Sequence, residues 1–276
     1  MSKTRLVNAR PSRRATLALG AVPFVVAAIA YASASASRLA ENARENLLPS
    51  AFAMYEGVKR IGGAIDPHSG LSVFAADTFS SLERLVIGLG LAALIGLAVG
   101  IALGLFPFIR AMFSPFVAVV SIIPPFALLP IILITMGLGE ASKIFLIVLG
   151  IAPFIARDIA TRTQEIPVEV LIKAQTLGAS THLIVSTIVL PQMLPRLLES
   201  VRVGLGSAWL FLLAGEAIAA QSGLGYRIFL VRRYMAMDVI IPYVLWITLI
   251  AFTLDYVLKR GAEYMGPWIY ASRATP

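Results

Sequence analysis

The sequence contains no cysteine, which excludes disulfides, thiolate metal sites and a cysteine nucleophile. Histidine is almost as scarce: His68 and His182 lie far apart, neither beside other ligand-type residues, so a zinc or haem site is not expected. Charge is also thin. Only 14% of the 276 residues are Asp, Glu, Lys or Arg, against roughly a quarter in a soluble chain. There is no P-loop and no Ser/His/Asp arrangement. The run GLGLAALIGLAVG at 88–100 is a poor dinucleotide fingerprint, because no strand precedes it and the whole segment is apolar. An enzyme is therefore not expected, nor a cofactor held by this chain.

What the chain has instead is hydrophobic length: 58% of its residues are apolar, arranged in long uncharged runs. After a basic segment, 1–14, with Lys3, Arg5, Arg10, Arg13 and Arg14, no charge occurs from Ala15 to Ser37. That is long enough to span a bilayer. The small residues of ASASAS at 32–37 leave a cleaved signal peptide as the alternative. Residues 38–82 mix both signs of charge and read as an external loop with short amphipathic helices. Leu85 to Ile109 is uncharged, and its Gly88, Gly90, Gly96, Gly100 and Gly104 recur at helical intervals, which lets another backbone approach closely.

The next uncharged stretch, up to Gly139, contains SIIPPFALLP at 121–130. Three prolines must break a membrane helix, and the freed carbonyls survive only inside protein or beside a water-filled cavity. Ser121, Pro124, Pro125, Phe126 and Met136 are thus candidates for lining a pathway, with a merely kinked, packing helix as the alternative. Ile144 to Ala156 is short for a span and must recruit Ala141 and Ser142. Further spans are Val203 to about Ala220 and Val239 to Leu254. Trp209 is another pathway candidate. Glu216 is the one ionisable residue well inside a span; it either faces a cavity or holds two helices together. At span ends, Asp255 and Glu199 are expected to pair with Lys259 and Arg202 on their own helix faces.

Between the fourth and fifth of these spans lies EIPVEVLIKAQTLGASTHLIVSTIVLPQMLP, 165–195. Pro167 suits a first helical position. Val170, Leu171, Ala174 and Leu177 then share one face, with Glu169 and Lys173 off it. Gly178 is placed for a left-handed cap, and Ser180 caps a second helix expected to run through Ile188 and Leu190 and stop at Pro191. Two short helices joined at a glycine make a knob for a partner, unless the hairpin simply lies on the membrane.

The order Gly178, Ala179, Ser180, then Ile188, Leu190 and Pro191 resembles the cytoplasmic loop of the permease subunits of bacterial ABC importers. In that family the loop begins Glu-Ala-Ala; here those positions are Ile172, Lys173 and Ala174. LPS (48–50), SIIPPFALLP, MGLGEASKI (136–144) and GLGSAWLFLLAGEAIAAQSGLGY (204–226) extend the resemblance to the nitrate/sulfonate/taurine-type permeases. The resemblance implies an all-α integral membrane bundle of six transmembrane helices. These are an N-terminal span (15–37) and a five-helix permease core (83–260), with a coupling-helix loop at 157–195 and a tail at 261–276. It also implies a homodimer, two ATP-binding cassette subunits carrying ATP and Mg, and an external or periplasmic substrate-binding protein. No nucleic-acid partner is expected despite the net charge of +8, since in a lipid-embedded chain the charge marks orientation. With both termini in the cytoplasm of a bacterial inner membrane, 14 Lys and Arg fall inside and nine outside. Many sulfonate- and nitrate-type members carry a basic residue where this chain has Ser121, which leaves a neutral or cationic nitrogen compound open as solute. A self-sufficient transporter or channel using Glu216 as its ion or proton site is the alternative function.

Overall fold

The computed structural model describes residues 12–42, 47–67 and 70–268. Lys3, Arg5, Arg10, His68 and Arg273 lie outside the described residues. In chain order the helices are α1 (Arg13–Glu41), α2 (Ala51–Gly63), α3 (Val73–Leu105), α4 (Pro107–Ile122), α5 (Leu129–Met136) and α6 (Glu140–Gln164). There follow α7 (Val168–Thr176), α8 (Thr181–Ile184), α9 (Leu190–Ala219), α10 (Leu224–Arg232) and α11 (Met237–Met265). A 3-10 turn, Pro125–Leu128, lies between α4 and α5, and a π turn, Val185–Val189, joins α8 to α9.

Helices α1, α3, α6, α11 and the continuous Thr181–Ala219 run are long and apolar enough to cross a membrane. The pair α4 and α5, bent by 82°, is either one broken span or a re-entrant loop. The packing of α3 on α6 decides between them. A Cβ added at Gly88, Gly96 or Gly100 would lie 2.9, 2.6 or 2.7 Å from the Cβ of Ile147, Ile155 or Ile159, and one at Gly104 would strike Thr163. Each glycine meets the residue 59 positions further on. A constant positive offset means that α3 and α6 run parallel, so the chain between them must return across the layer once. The bent pair is therefore a traverse, and among the described residues the bundle has six spans.

The glycines also bring backbone to backbone. The Cβ built at Gly100 would sit 2.8 Å from the Ala156 carbonyl oxygen and that at Gly104 3.0 Å from the Ala160 carbonyl oxygen. In lipid, where association rests on close packing rather than on exclusion of water, such a seam is a main source of helix adhesion. From it the core spreads through Leu85, Ile151 and Ile155 to Met193, Leu205, Leu212 and Tyr243.

Several element boundaries shift for polar reasons. Helix α3 starts at Val73, inside the segment expected to be external loop, because the Ser72 hydroxyl caps Ala75 N–H and because Asp77, Ser81 and Arg84 are buried with partners. Helix α6 starts at Glu140 and so takes in Ala141 and Ser142; the charge of buried Lys143 is met by Glu140 at 2.8 Å. The expected loop holds the amphipathic α2, whose Gly57 abuts the Asp238 carbonyl and whose Arg60 pairs with Asp238 at 2.7 Å. Helix α1 is tied to the LPS segment, Tyr31 donating to the Pro49 carbonyl (2.8 Å) and Ser35 to that of Leu48 (2.9 Å).

Gly100→Ala should destabilise the fold by about 1–3 kcal/mol through overpacking, whereas Gly90→Ala, with nothing within 4 Å of the added atom, should be neutral or slightly stabilising. Thermal unfolding in detergent compares the two.

Candidate functional site

The knob forms as its turn chemistry dictates. Gly178 takes φ +81°, Ala179 N–H donates to the Ala174 carbonyl and Gly178 N–H to that of Gln175, the paired bonds of a glycine-capped helix end. The Ser180 hydroxyl then accepts from Leu183 N–H and opens α8. Pro167 is the residue before the first turn rather than in it. The expected apolar face of α7 divides: Leu171 and Ala174 pack inward, while Val170 is exposed and Leu177 is 88% exposed. Ile172 and Leu183 are exposed with it.

The second helix does not stop at Pro191. It widens into the π turn, where Leu190 N–H reaches the Val185 carbonyl, and Pro191 becomes part of the first turn of α9. Near that start a missing N–H leaves few bonds unmade, so knob and span form one continuous rod, Thr181–Ala219. Ion pairs brace its foot: Glu165 with Arg196 at 2.6 Å, Arg162 with Asp158 at 2.8 Å and with Glu199 at 3.2 Å, and Arg202 with Asp255 at 2.6 Å. Except for Asp158–Arg162 these link different helices: Asp255, expected to pair with Lys259 on its own face, is tied to α9, and Glu199 is tied to α6. His182 is exposed.

The broken span lines a cavity. Val120, Ser121, Ile123 and Pro125 face Gly150, Ile151 and Phe154 of α6 and Gly204, Ser207 and Phe211 of α9 around about 310 Å³. Pro124, Phe126 and Met136 are exposed at the bend and beyond it. Trp209 and Glu216, expected with them, are not there: both are buried in the core. Trp209 points inward because it shares the buried face of α9 with Leu205, Ala208 and Leu212.

Glu216 is the centre of a closed polar cluster at the end of the bundle away from the knob. Its carboxylate accepts from Ser81 Oγ (2.8 and 3.0 Å), Arg84 Nη1 (2.7 Å) and Gly225 N–H (2.8 Å), and it is wholly buried. Arg84 also pairs with Glu140 and donates to the Ser222 carbonyl (2.8 Å). Beside it, buried Asp77 accepts from Arg227 (2.8 Å), Tyr243 (3.2 Å) and Gly223 N–H (3.0 Å). Gly223, at φ +126°, wraps so closely that a Cβ would meet the Glu216 carboxylate. Of the two roles open to Glu216, the geometry supports the helix tie, joining α3, α9 and α10.

One functional candidate escaped the sequence. Arg157 reads there as an end-of-span marker, yet its Nη1 donates to Ser121 Oγ at 2.9 Å. Arg157 of α6 thus brings a positive charge beside Ser121. Arg157, Thr161 and Gln164, at helical spacing on α6, were the available signal.

Comparison with known proteins now fixes the family. The family model described as binding-protein-dependent transport system inner membrane component matches residues 92–269. The chain belongs to this family. It is 36% identical over 189 residues to the taurine transport system permease protein TauC of Escherichia coli, covering 68% of this chain and 69% of that one. It is 28% identical to the nitrate import permease protein NrtB of a Synechocystis strain (70% and 68% covered) and 29% identical to the bicarbonate permease CmpB of Synechococcus elongatus (70% and 68%). Its fold matches a chain of the inward-facing MetNI methionine ABC transporter with TM-score 0.60 and 23% identity, over 68% of this chain and 93% of that one. This protein is a multi-pass, all-helical ABC transporter permease subunit.

Removing one partner of a buried ion pair is destabilising by about 3–5 kcal/mol, so Glu216→Ala should abolish the folded permease, while Glu216→Gln, which keeps the Ser81 contact, should fold with a lowered melting temperature. Fluorescence-detected size exclusion of the two variants reads the difference.

Proposed function

We propose that this chain is the membrane-spanning half of an ATP-driven importer of a small polar solute. It works as a homodimer, with two ATP-binding cassette subunits seated on residues 167–191 and a substrate-binding protein delivering solute to the opposite face. The knob carries the reading. Leu177, Ile172 and Leu183 expose apolar surface on a hairpin braced by ion pairs, and such surface on a rigid projection marks a partner's seat. Lipid would solvate it equally well on a hairpin lying flat, but the continuous rod into α9 gives the knob a mechanical link that a surface anchor does not need.

Within the knob the roles divide. Glu169, Ile172, Lys173 and Leu177 present outward to the ATPase; Ala174, Ala179 and Ile188 pack against the protein; Gly178 and Ser180 fix the turn. Leu190 and Pro191, just after the π turn, pass motion into α9. ATP and Mg belong to the partner, where hydrolysis occurs. The excess of Lys and Arg on the knob side supports a cytoplasmic knob and cytoplasmic termini in a bacterial inner membrane. The broken span, with Ser121, Pro124, Pro125, Phe126 and Met136, forms the pathway near the dimer centre. The gradient-driven alternative asks Glu216 to exchange an ion or proton, but its bonds to Ser81, Arg84 and Gly225 and its full burial leave no route for one.

Affinity purification from native membranes tests the reading. The wild-type chain should retain an ATPase subunit. Leu177→Glu, at an exposed position, should lose it while melting like wild type; Gly178→Val, strained at positive φ by about 1 kcal/mol or more, should weaken it. A wild-type chain that emerges without any ATPase would overturn the proposal.

A further inference from the structure

Helices α4 and α6 face each other along a polar seam. Arg110, Ser114, Val117 and Ala118 of α4 and Arg157, Ala160, Thr161 and Gln164 of α6 enclose a second cavity of about 300 Å³. The Arg157–Ser121 bond joins its lining to that of the 310 Å³ cavity. The helices are antiparallel there: Gln164 and Arg110 are at the knob end, Arg157 and Ser121 nearer the break.

Two guanidiniums thus share this seam, and among the described residues neither has a carboxylate partner. Arg110 donates to the Leu103 carbonyl at 2.8 Å and to that of Gly104. Arg157 has only Ser121 Oγ, since neighbouring Asp158 turns to Arg162 and Ser200. Arg157 is exposed on α6, seven residues or about 10 Å along the helix from its end at 1.5 Å per residue. Its guanidinium is held toward Ser121 and the break. It is also left with unused N–H donors, arranged as a fork that suits planar oxyanions.

We propose that Arg157, oriented by Ser121 and supported by the charge of Arg110, is an oxyanion-binding site on the knob side of the broken span. The group it takes is a sulfonate, nitrate or bicarbonate-type oxyanion of the translocated solute. This rests on the importer reading and deepens it. Arg157 is then the residue that determines specificity within the membrane, reading the charge after the binding protein has released the solute. Phospholipid phosphate offers similar chemistry, so the test separates the two sources.

The complex of permease, its ATPase and its binding protein is reconstituted in liposomes of phosphatidylcholine alone and of phosphatidylcholine with phosphatidylglycerol. Uptake of labelled taurine, nitrate and bicarbonate is measured per ATP hydrolysed. Arg157→Gln should lower uptake of the transported anion by about tenfold or more, the loss expected for a hydrogen bond to a charged partner. It should do so in both lipid mixtures, with Arg157→Lys, which keeps the charge but loses the fork, retaining only part of the rate. The swap R157S/S121R, which moves the guanidinium across the 2.9 Å bond, should recover part of the loss; a merely structural arginine would not be rescued this way. Wild-type uptake undiminished by Arg157→Gln would overturn the site while leaving the importer intact. So would a loss confined to liposomes with phosphatidylglycerol, which would assign the site to a headgroup. ATP-driven uptake of neutral or cationic solutes only would also overturn it. A wild-type complex with no ATP-driven uptake of any solute would instead overturn the importer reading on which the site rests.

Discussion

Everything in this bundle hangs on the seam where α3 and α6 touch through glycine. Four glycines replaced by larger residues would push the helices apart, because the atoms they meet are Ile147, Ile155 and Ile159 branches, Thr163, and the Ala156 and Ala160 carbonyls. Because the seam is parallel, it dictates topology as well as adhesion. The segment between the two helices must come back across the layer, and it does so with a proline-broken traverse bent by 82°. The cavity under that break exists because α4 has to lean on α6 while its own hydrogen-bond ladder is interrupted. The break is thus a consequence of the fold's most rigid contact, placed beside it.

The two ends of the bundle use charge differently. Away from the knob, Glu216, Arg84, Ser81, Asp77 and Arg227 form a buried, mutually satisfied network that joins α3, α6, α9, α10 and α11. With all its members paired, such a network resists partial opening and favours motion as a block. At the knob end the ion pairs are part-exposed, and all but Asp158–Arg162 join neighbouring helices at their rims. Pairs of that kind contribute little stability each but can be exchanged as helices tilt. The arrangement suits a rigid body driven from one end, with the broken span as the part that changes shape.

Much of this was legible in the sequence, for definable reasons. Uncharged runs gave the spans, because lipid tolerates little else. The spacing of Gly88, Gly96, Gly100 and Gly104 announced a close contact, and Gly178 and Ser180 announced the turn of the knob. Most of the failures share a cause, a deciding partner distant in sequence. Val73–Ser81 joined α3 rather than a loop because Glu216, Gly223 and Arg227 neutralise its polar groups. Asp255 pairs with Arg202 of another helix and not with Lys259 on its own face. Pro191 was read as a stop because a π turn, which absorbs a proline near its end, leaves no local mark. Arg157 looked like a boundary charge until Ser121 was seen beside it.

The absence of cysteine makes the central claim directly measurable, since a single introduced cysteine can be labelled without background. Ser186 is exposed on the knob, within the 167–191 segment but not among the side chains assigned to face the ATPase. With Ser186→Cys spin-labelled in the dimer and assembled with its ATPase, electron–electron distance measurement compares the nucleotide-free state with the ATP-bound state of a hydrolysis-deficient partner. The account predicts that the knob-to-knob distance shortens when ATP is bound, while a label at exposed Gly90, beside the glycine seam, keeps its distance distribution. An unchanged knob distance, when the same labelled permease imports solute with a hydrolysis-competent ATPase, would contradict it.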